Sequence, residues 1–323
     1  MTNKRPNIGG QALIEGVFMR APGGAAAAVR KPDGTIVAKN MNYLVPPERT
    51  GILSKPIFRG AVNLIETMKL GFTALNWSAE TVEEDSKDKD AKKKSSKIGM
   101  WLANIGAVAL AIVLFAWLPL RLATWIVSMI GPSAGGVEQF YIHIIAGTFR
   151  IFAFVLYIMV ISLMPDIRRV FMYHGAEHQV IHAWEDGSDS LALDGAKQTT
   201  LHARCGTSFL MYVMIVTILC YGIIDSLVYL ATGVSPAAHW RVLYHLPLIP
   251  LVMGVSYEVL KMADKHLDTS AFARALSKPG LWLQHLTTKP ATAEMLEVAE
   301  TAAKMALGYD LPPEIEIAEE KAQ

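Results

Sequence analysis

Hydrophobic positions along this chain are gathered into long blocks rather than spread evenly. From Ile98 to Leu120, 23 consecutive residues carry no Asp, Glu, Lys or Arg. As a helix they would reach roughly 34 Å, enough to cross a hydrocarbon core about 30 Å thick. An oblique continuation runs past Arg121 to Ile130. Three further blocks follow at about 139–164, 206–231 and 242–260, broken only by Arg150, Asp225 and, near the last end, Glu258. The pattern predicts four transmembrane helices, hence a mainly α, polytopic helical membrane protein with the lipid bilayer as its partner.

The remaining segments differ in kind. Residues 1–55 predict a small β-rich unit: "QALIEGVFMR" and "AAAAVRKPDGTIVAKN" carry β-branched residues, and Pro32-Asp33-Gly34 supplies a turn between two strand candidates. Residues 56–79 include a helical apolar face from Phe58 to Trp77, interrupted by Arg59, Glu66 and Lys69, which fits an interfacial amphipathic helix better than a span. Residues 80–97, "ETVEEDSKDKDAKKKSSK", hold almost nothing to bury and read as a solvated linker. The four-span region then occupies 98–261, with a His-rich loop at 165–205, and a helical tail fills 262–323. Within that tail a helix is expected from about Pro290, with Gly308 just past its end.

Lysine and arginine near the span ends set the orientation. Six lysines precede the first span, and Arg168, Arg169, Lys197 and Arg204 lie between the second and third. "GPSAGGVEQ" has no basic residue and "TGVSPAAHWR" has one. Both termini and the 165–205 loop are therefore expected to be cytoplasmic, and no leader segment is evident at "MTNKRPNIGGQ". A net charge of +1 gives no reason to expect nucleic acid, and two cysteines are too few for a disulfide framework. Protein partners and oligomeric state have no sequence signal.

The chemistry is concentrated in "YHGAEHQVIHAWEDG". At about 100° per residue, His178 falls about 40° from His174 on a helix and Glu177 about 60° to the other side. Two imidazoles and a carboxylate therefore share one sector. His-x-x-Glu-His is the inverted zinc-protease order, in which the histidines hold the metal and the glutamate is the general base. The bland alternative is a solvated helix end at a membrane surface. A second cluster, "LHARCGTSF", puts His202 and Cys205 at the start of the third span, on the same side as the first cluster. Imidazole and thiolate suit zinc, although Cys205 could equally be a small buried hydrophobe; Cys220, in mid-span, reads as packing. Glu258, near the cytoplasmic end of the fourth span, is a further donor. Two ligand sets stay open: His174, His178 and Glu258, which leaves a catalytic metal accessible, or His174, His178, His202 and Cys205, which closes it. His182 is expected to be solvated. Arg150 and Asp225, roughly 7 Å apart in height, are expected to pair within the membrane.

"GGQALIEGVFMR", "YHGAEH", "RCGTSFL", "SYEVLK" and "LQHLTTKP" occur in this order over nearly the whole chain. Together they resemble the YqhQ-like family of bacterial integral membrane proteins, described as predicted metal-dependent enzymes of unknown function. The resemblance carries over to His174, Glu177 and His178 and to Arg204 and Cys205, and it adds Glu15, Arg20 and Glu258 as motif members without a role. The expectation is thus a divalent metal, zinc by donor type, at the membrane surface, serving a hydrolase in which Glu177 activates water. The rival is a non-catalytic scaffold or assembly factor stapled by its metal. Transport ranks last, for want of a polar pathway.

Overall fold

The computed structural model describes residues 5–41, 55–56, 58–85, 97–130, 136–234, 238–267 and 269–318. The N-terminal unit is an antiparallel meander in which β1 (Gly9–Leu13), β2 (Gly16–Ala21), β3 (Gly24–Arg30) and β4 (Ile36–Asn40) each pair with the next. The turn at Pro32-Asp33-Gly34 joins β3 to β4, with Gly34 at φ +95°. A fifth strand comes from the far end of the chain, where β5 (Glu316–Ile317) pairs parallel to β4.

Alternation along the strands divides the side chains between two faces. Val17, Met19, Ala26, Ala28 and Ile36 pack against α5 (Pro165–Glu185) and α11 (Ala293–Ala306). Leu13, Phe18, Ala25 and Ala27 pack against Ala74 of α1 (Phe58–Asp85). The alanine run of β3 matters here. Small residues on both faces let Ala299, Ala302 and Ala303 of α11 come close, so the sheet is sandwiched with little void. Helix α1 runs through Asp85, six residues into the segment expected as linker, because Ser78 is fully buried and Thr81 is bonded back to the Trp77 carbonyl. The lysine cluster of that segment lies outside the described residues.

Four stretches are long and apolar enough to cross a membrane: Ile105–Met129, Glu138–Ile161, Gly206–Thr232 and Leu243–Lys265. The first is one rod made of α2 (Lys97–Ile112), a π turn at Val113–Trp117 and α3 (Leu118–Ile130). The second is α4 (Gly136–Ile161), the third α7 (Gly206–Thr232). The fourth starts in α8 (Ala238–His245) and continues through Leu246–Leu248 into α9 (Ile249–Lys265). Helix α4 packs on α3 and α7, and α7 packs on α9 and on α10 (Ala271–Thr287). The broad exposure of apolar side chains on these rods, such as Trp101, Phe152 and Leu230, fits contact with lipid.

The expected pairing of Arg150 with Asp225 does not occur. Arg150 donates from Nε to the Phe115 carbonyl, 2.9 Å away in the π turn, where the altered helix winding frees a backbone acceptor. Asp225, fully buried, is held by His143 Nε2 at 2.6 Å, His245 Nε2 at 2.9 Å, Arg241 Nε at 3.4 Å and the Tyr244 hydroxyl. The height argument was sound but incomplete: α8 delivers closer partners from the next span.

Candidate metal centre between α5 and the sheet

Helix α5 follows α4 after a short turn. Pro165 opens it at the first-turn position where a missing N–H costs nothing. The helix then runs under β1, and ten of its residues from Tyr173 to Trp184 are buried. Its placement depends on Gly175. A Cβ there would lie 1.9 Å from the Lys289 carbonyl oxygen, so only glycine lets the segment after α10 lie against α5. That approach carries the Thr287 carbonyl to within 2.9 Å of His174 Nδ1.

The second imidazole is held in the same way, with His178 Nδ1 2.5 Å from the Thr200 carbonyl. A carbonyl only accepts, so Nδ1 carries a proton in both rings, and Nε2 is in each the nitrogen left to other partners. His174 Nε2 lies 3.2 Å from Cys205 Sγ. His178 Nε2 is buried without a hydrogen-bonding partner. The ligand atoms of His174, His178 and Cys205 all lie within 4.8 Å of one another. Cys205 caps α7, accepting from Thr207 N at 3.4 Å, so the thiol sits at a helix N-terminus.

Glu177 stands beside these donors. Its Oε1 accepts from the Gly10 N–H of β1 at 3.0 Å, and its Oε2 is buried with no partner. The carboxylate is 4% exposed and His178 1%, yet both border a cavity of about 260 Å³ that is also lined by Gly9, Ala12 and Phe171. Two orphaned atoms at one cavity, His178 Nε2 and Glu177 Oε2, with both rings held at Nδ1 by backbone carbonyls, are what a cation-binding site requires; a packed core would have satisfied them. The residues therefore fit a divalent metal.

Electrostatics of the donor set point the same way. Burial works against charge on both partners of the His174–Cys205 pair, but each sustains the other. His174 is pushed up to about 9 by the neighbouring thiolate, and Cys205 falls well below the usual thiol value beside His174 and His178. Burial raises the Glu177 carboxyl, opposed by the imidazoles.

His202 also lines the cavity but belongs to a second group, with His182 and Glu185. Burial lowers the pKa of His202. Its backbone is fixed by Gln284, which accepts from His202 N and donates to His202 O, each at 2.8 Å. Arg204 occupies the remaining space of that group, bonded to Glu185, with Nη2 3.4 Å from His202 Nε2 and Nη1 3.8 Å from Asp264. A guanidinium already supplies the positive charge there. His182, expected in solvent, is half-buried with Nε2 2.8 Å from the Leu201 carbonyl, because α5 reaches Glu185 before the loop begins.

The other motif residues lie around this centre or apart from it. Glu15, at φ +52°, accepts both nitrogens of Arg169 at 2.6 and 2.5 Å and the Tyr173 hydroxyl at 3.3 Å, tying the β1–β2 tip to α5. Arg20 donates to Thr67 Oγ1 at 3.2 Å on α1. Glu258 is not in the donor group: it makes a two-point pair with Arg59 at 2.9 and 2.8 Å, joining α9 to α1. Gly10 and Gln284 lie in the quoted motifs, but no local pattern assigned them a role at the site, since one acts through its backbone N–H and the other through a contact 82 positions away.

The family described as "Protein of unknown function (DUF1385)" matches residues 55–309. "Uncharacterized protein YqhQ" of Bacillus subtilis (strain 168) is 33% identical over 303 residues, covering 91% of this chain and 90% of that protein. No solved structure matches the chain. Matched over most of its length in both comparisons, this chain belongs to the YqhQ-like family of proteins of unknown function.

Proposed function

We propose that the protein is a metal-dependent hydrolase of the bacterial inner membrane, holding one divalent ion, zinc by donor type, at the cytoplasmic surface. The observation that carries this reading is the gathering of His174, His178 and Cys205 within 4.8 Å of one another beside the unpartnered oxygen of Glu177. Two imidazoles and a thiolate make the three-ligand shell of a catalytic zinc with one position left for water or substrate. When bound, the metal supplies a Lewis acid that polarises a carbonyl and makes water more acidic. The chain does the rest. The Thr287 and Thr200 carbonyls hold the two rings, and the Gly10 N–H fixes one Glu177 oxygen while the other is left to take a proton. Arg204 adds a fixed positive charge at the cavity wall, suited to an anionic product. The excess of lysine and arginine on one side supports cytoplasmic termini.

A metal-stapled scaffold is the second reading, favoured by Cys205 capping α7 while touching α5, so that one ion would tie two helices. Metal analysis of the detergent-solubilised protein separates them. Wild type is expected to hold about one equivalent, and His174→Ala or His178→Ala to lose it. Glu177→Gln is expected to keep the metal and the melting temperature while hydrolysis falls about a hundredfold or more. Loss of metal from Glu177→Gln would make the glutamate a ligand and end the catalytic reading.

A further inference from the structure

Strand β1 is the first of the sheet, and among the described residues no strand lies beside its outer edge. The Gly10 N–H donates to Glu177, so it points away from β2, and Gly10–Met19 is a non-hydrogen-bonded pair of the ladder. By alternation the N–H and C=O of Ala12 also turn outward, two residues along the same edge. This edge borders the cavity that holds His174, His178 and Cys205. The Gly10 N–H is taken by Glu177, but Gly10 is exposed and Ala12 half-exposed, so among the described residues the Gly10 C=O and both outward groups of Ala12 are left for a partner strand.

We propose that an extended polypeptide adds to this edge of β1 as a further strand, and that the bond presented to the metal centre is a peptide bond of that strand. The cleavage half of this rests on the hydrolase reading; the docking half does not. A strand edge repeats its donors and acceptors at about 6.8 Å, a spacing that another backbone matches and an acyl chain cannot use. Gly9 and Gly10 put no side chain between that edge and the cavity. At Gly10 none fits, since a Cβ would lie 2.0 Å from the Phe18 carbonyl oxygen. The edge is also registered on the chemistry, because Gly10 itself holds Glu177. In the hydrolysis, water oxygen bonds to the carbonyl carbon and the C–N bond breaks. Glu177 carries one water proton to the leaving nitrogen, the second passes from the new carboxylic acid to the freed amine, and the products are a carboxylate and an ammonium.

The full chain, metal-replete in nanodiscs and bearing Glu177→Gln to prevent turnover, is titrated into a fluorescein-labelled pool of random decapeptides and read by polarisation. The pool should bind, and the same pool N-methylated at alternate amides should bind at least tenfold more weakly. Ala12→Pro, which removes an outward N–H and no ladder bond, should weaken binding at least tenfold with metal content and melting temperature unchanged. Should Ala12→Pro melt early, the N-methyl comparison on the parent chain decides. Cleavage by the Glu177 chain is scored separately as new amino groups: peptides bound yet uncut uphold the docking and sink the hydrolase reading. Equal binding of methylated and unmethylated pools would overturn the proposal. So would binding or hydrolysis of dihexanoyl phosphatidylglycerol by a protein that ignores the peptides.

Discussion

Gly175 does for the centre what no side chain could, since its missing Cβ admits the Lys289 backbone and with it the carbonyl that orients His174. Gly175→Ala should therefore cost about 1–3 kcal/mol of stability, the usual penalty of an overpacked contact, and should lower metal affinity as well. Thermal melts with and without chelator would read both, and an unchanged melt would mean that this contact gives way easily. Gln284 acts similarly from a distance, since its amide satisfies both backbone groups of His202 and the Ser208 hydroxyl. Gln284→Leu strands those groups in a buried site, and a loss of about 2 kcal/mol or more is expected from equilibrium unfolding. The pair His174 and His178 was legible in the sequence because helical spacing alone puts them in one sector. Cys205 was ambiguous, since a buried thiol and a ligand thiol have the same spelling.

At the scale of elements, the ends of α4, α7 and α8 away from the metal centre are tied together at Asp225. One carboxylate accepts from His143, Tyr244 and His245, with Arg241 beside it and Gln139 bonded to Arg241 in turn. Removing one member of a buried charged set leaves its partner uncompensated, which costs about 3–5 kcal/mol, whereas removing both ends can be close to neutral. Asp225→Asn should lower the melting temperature in detergent sharply, and Asp225→Asn with Arg241→Met should recover much of the loss. If the double variant is no better than the single, Arg241 is not the partner that matters. The spans themselves were plain from hydrophobic length. Their polar contacts were not, because helix order along the chain does not say which faces turn toward each other, and Arg150 found a π-turn carbonyl instead of the expected acid.

For the whole molecule, the proposed orientation puts the α5 end of the spans in the cytoplasm and the loop after α7 outside. Leu193, in the short helix α6 (Leu191–Gly195) before α7, and Val234, just after α7, are both exposed. In intact spheroplasts an impermeant maleimide should label Val234→Cys and reach Leu193→Cys only after lysis; the reverse pattern would invert the topology. By itself the sequence determined the four apolar rods, the β-rich start, the terminal helix and the convergence of two histidines and a glutamate on one helix face, since all of these follow from local periodicity and length. Tertiary structure alone decided that Gly10 steadies Glu177, that Cys205 joins the histidines while Glu258 pairs with Arg59, and that β5 closes the sheet. Those contacts join residues at least 27 positions apart, some through backbone atoms that every residue shares. Only the packing of α5 beside α11 on one face of the sheet brings the rest of the chain to them.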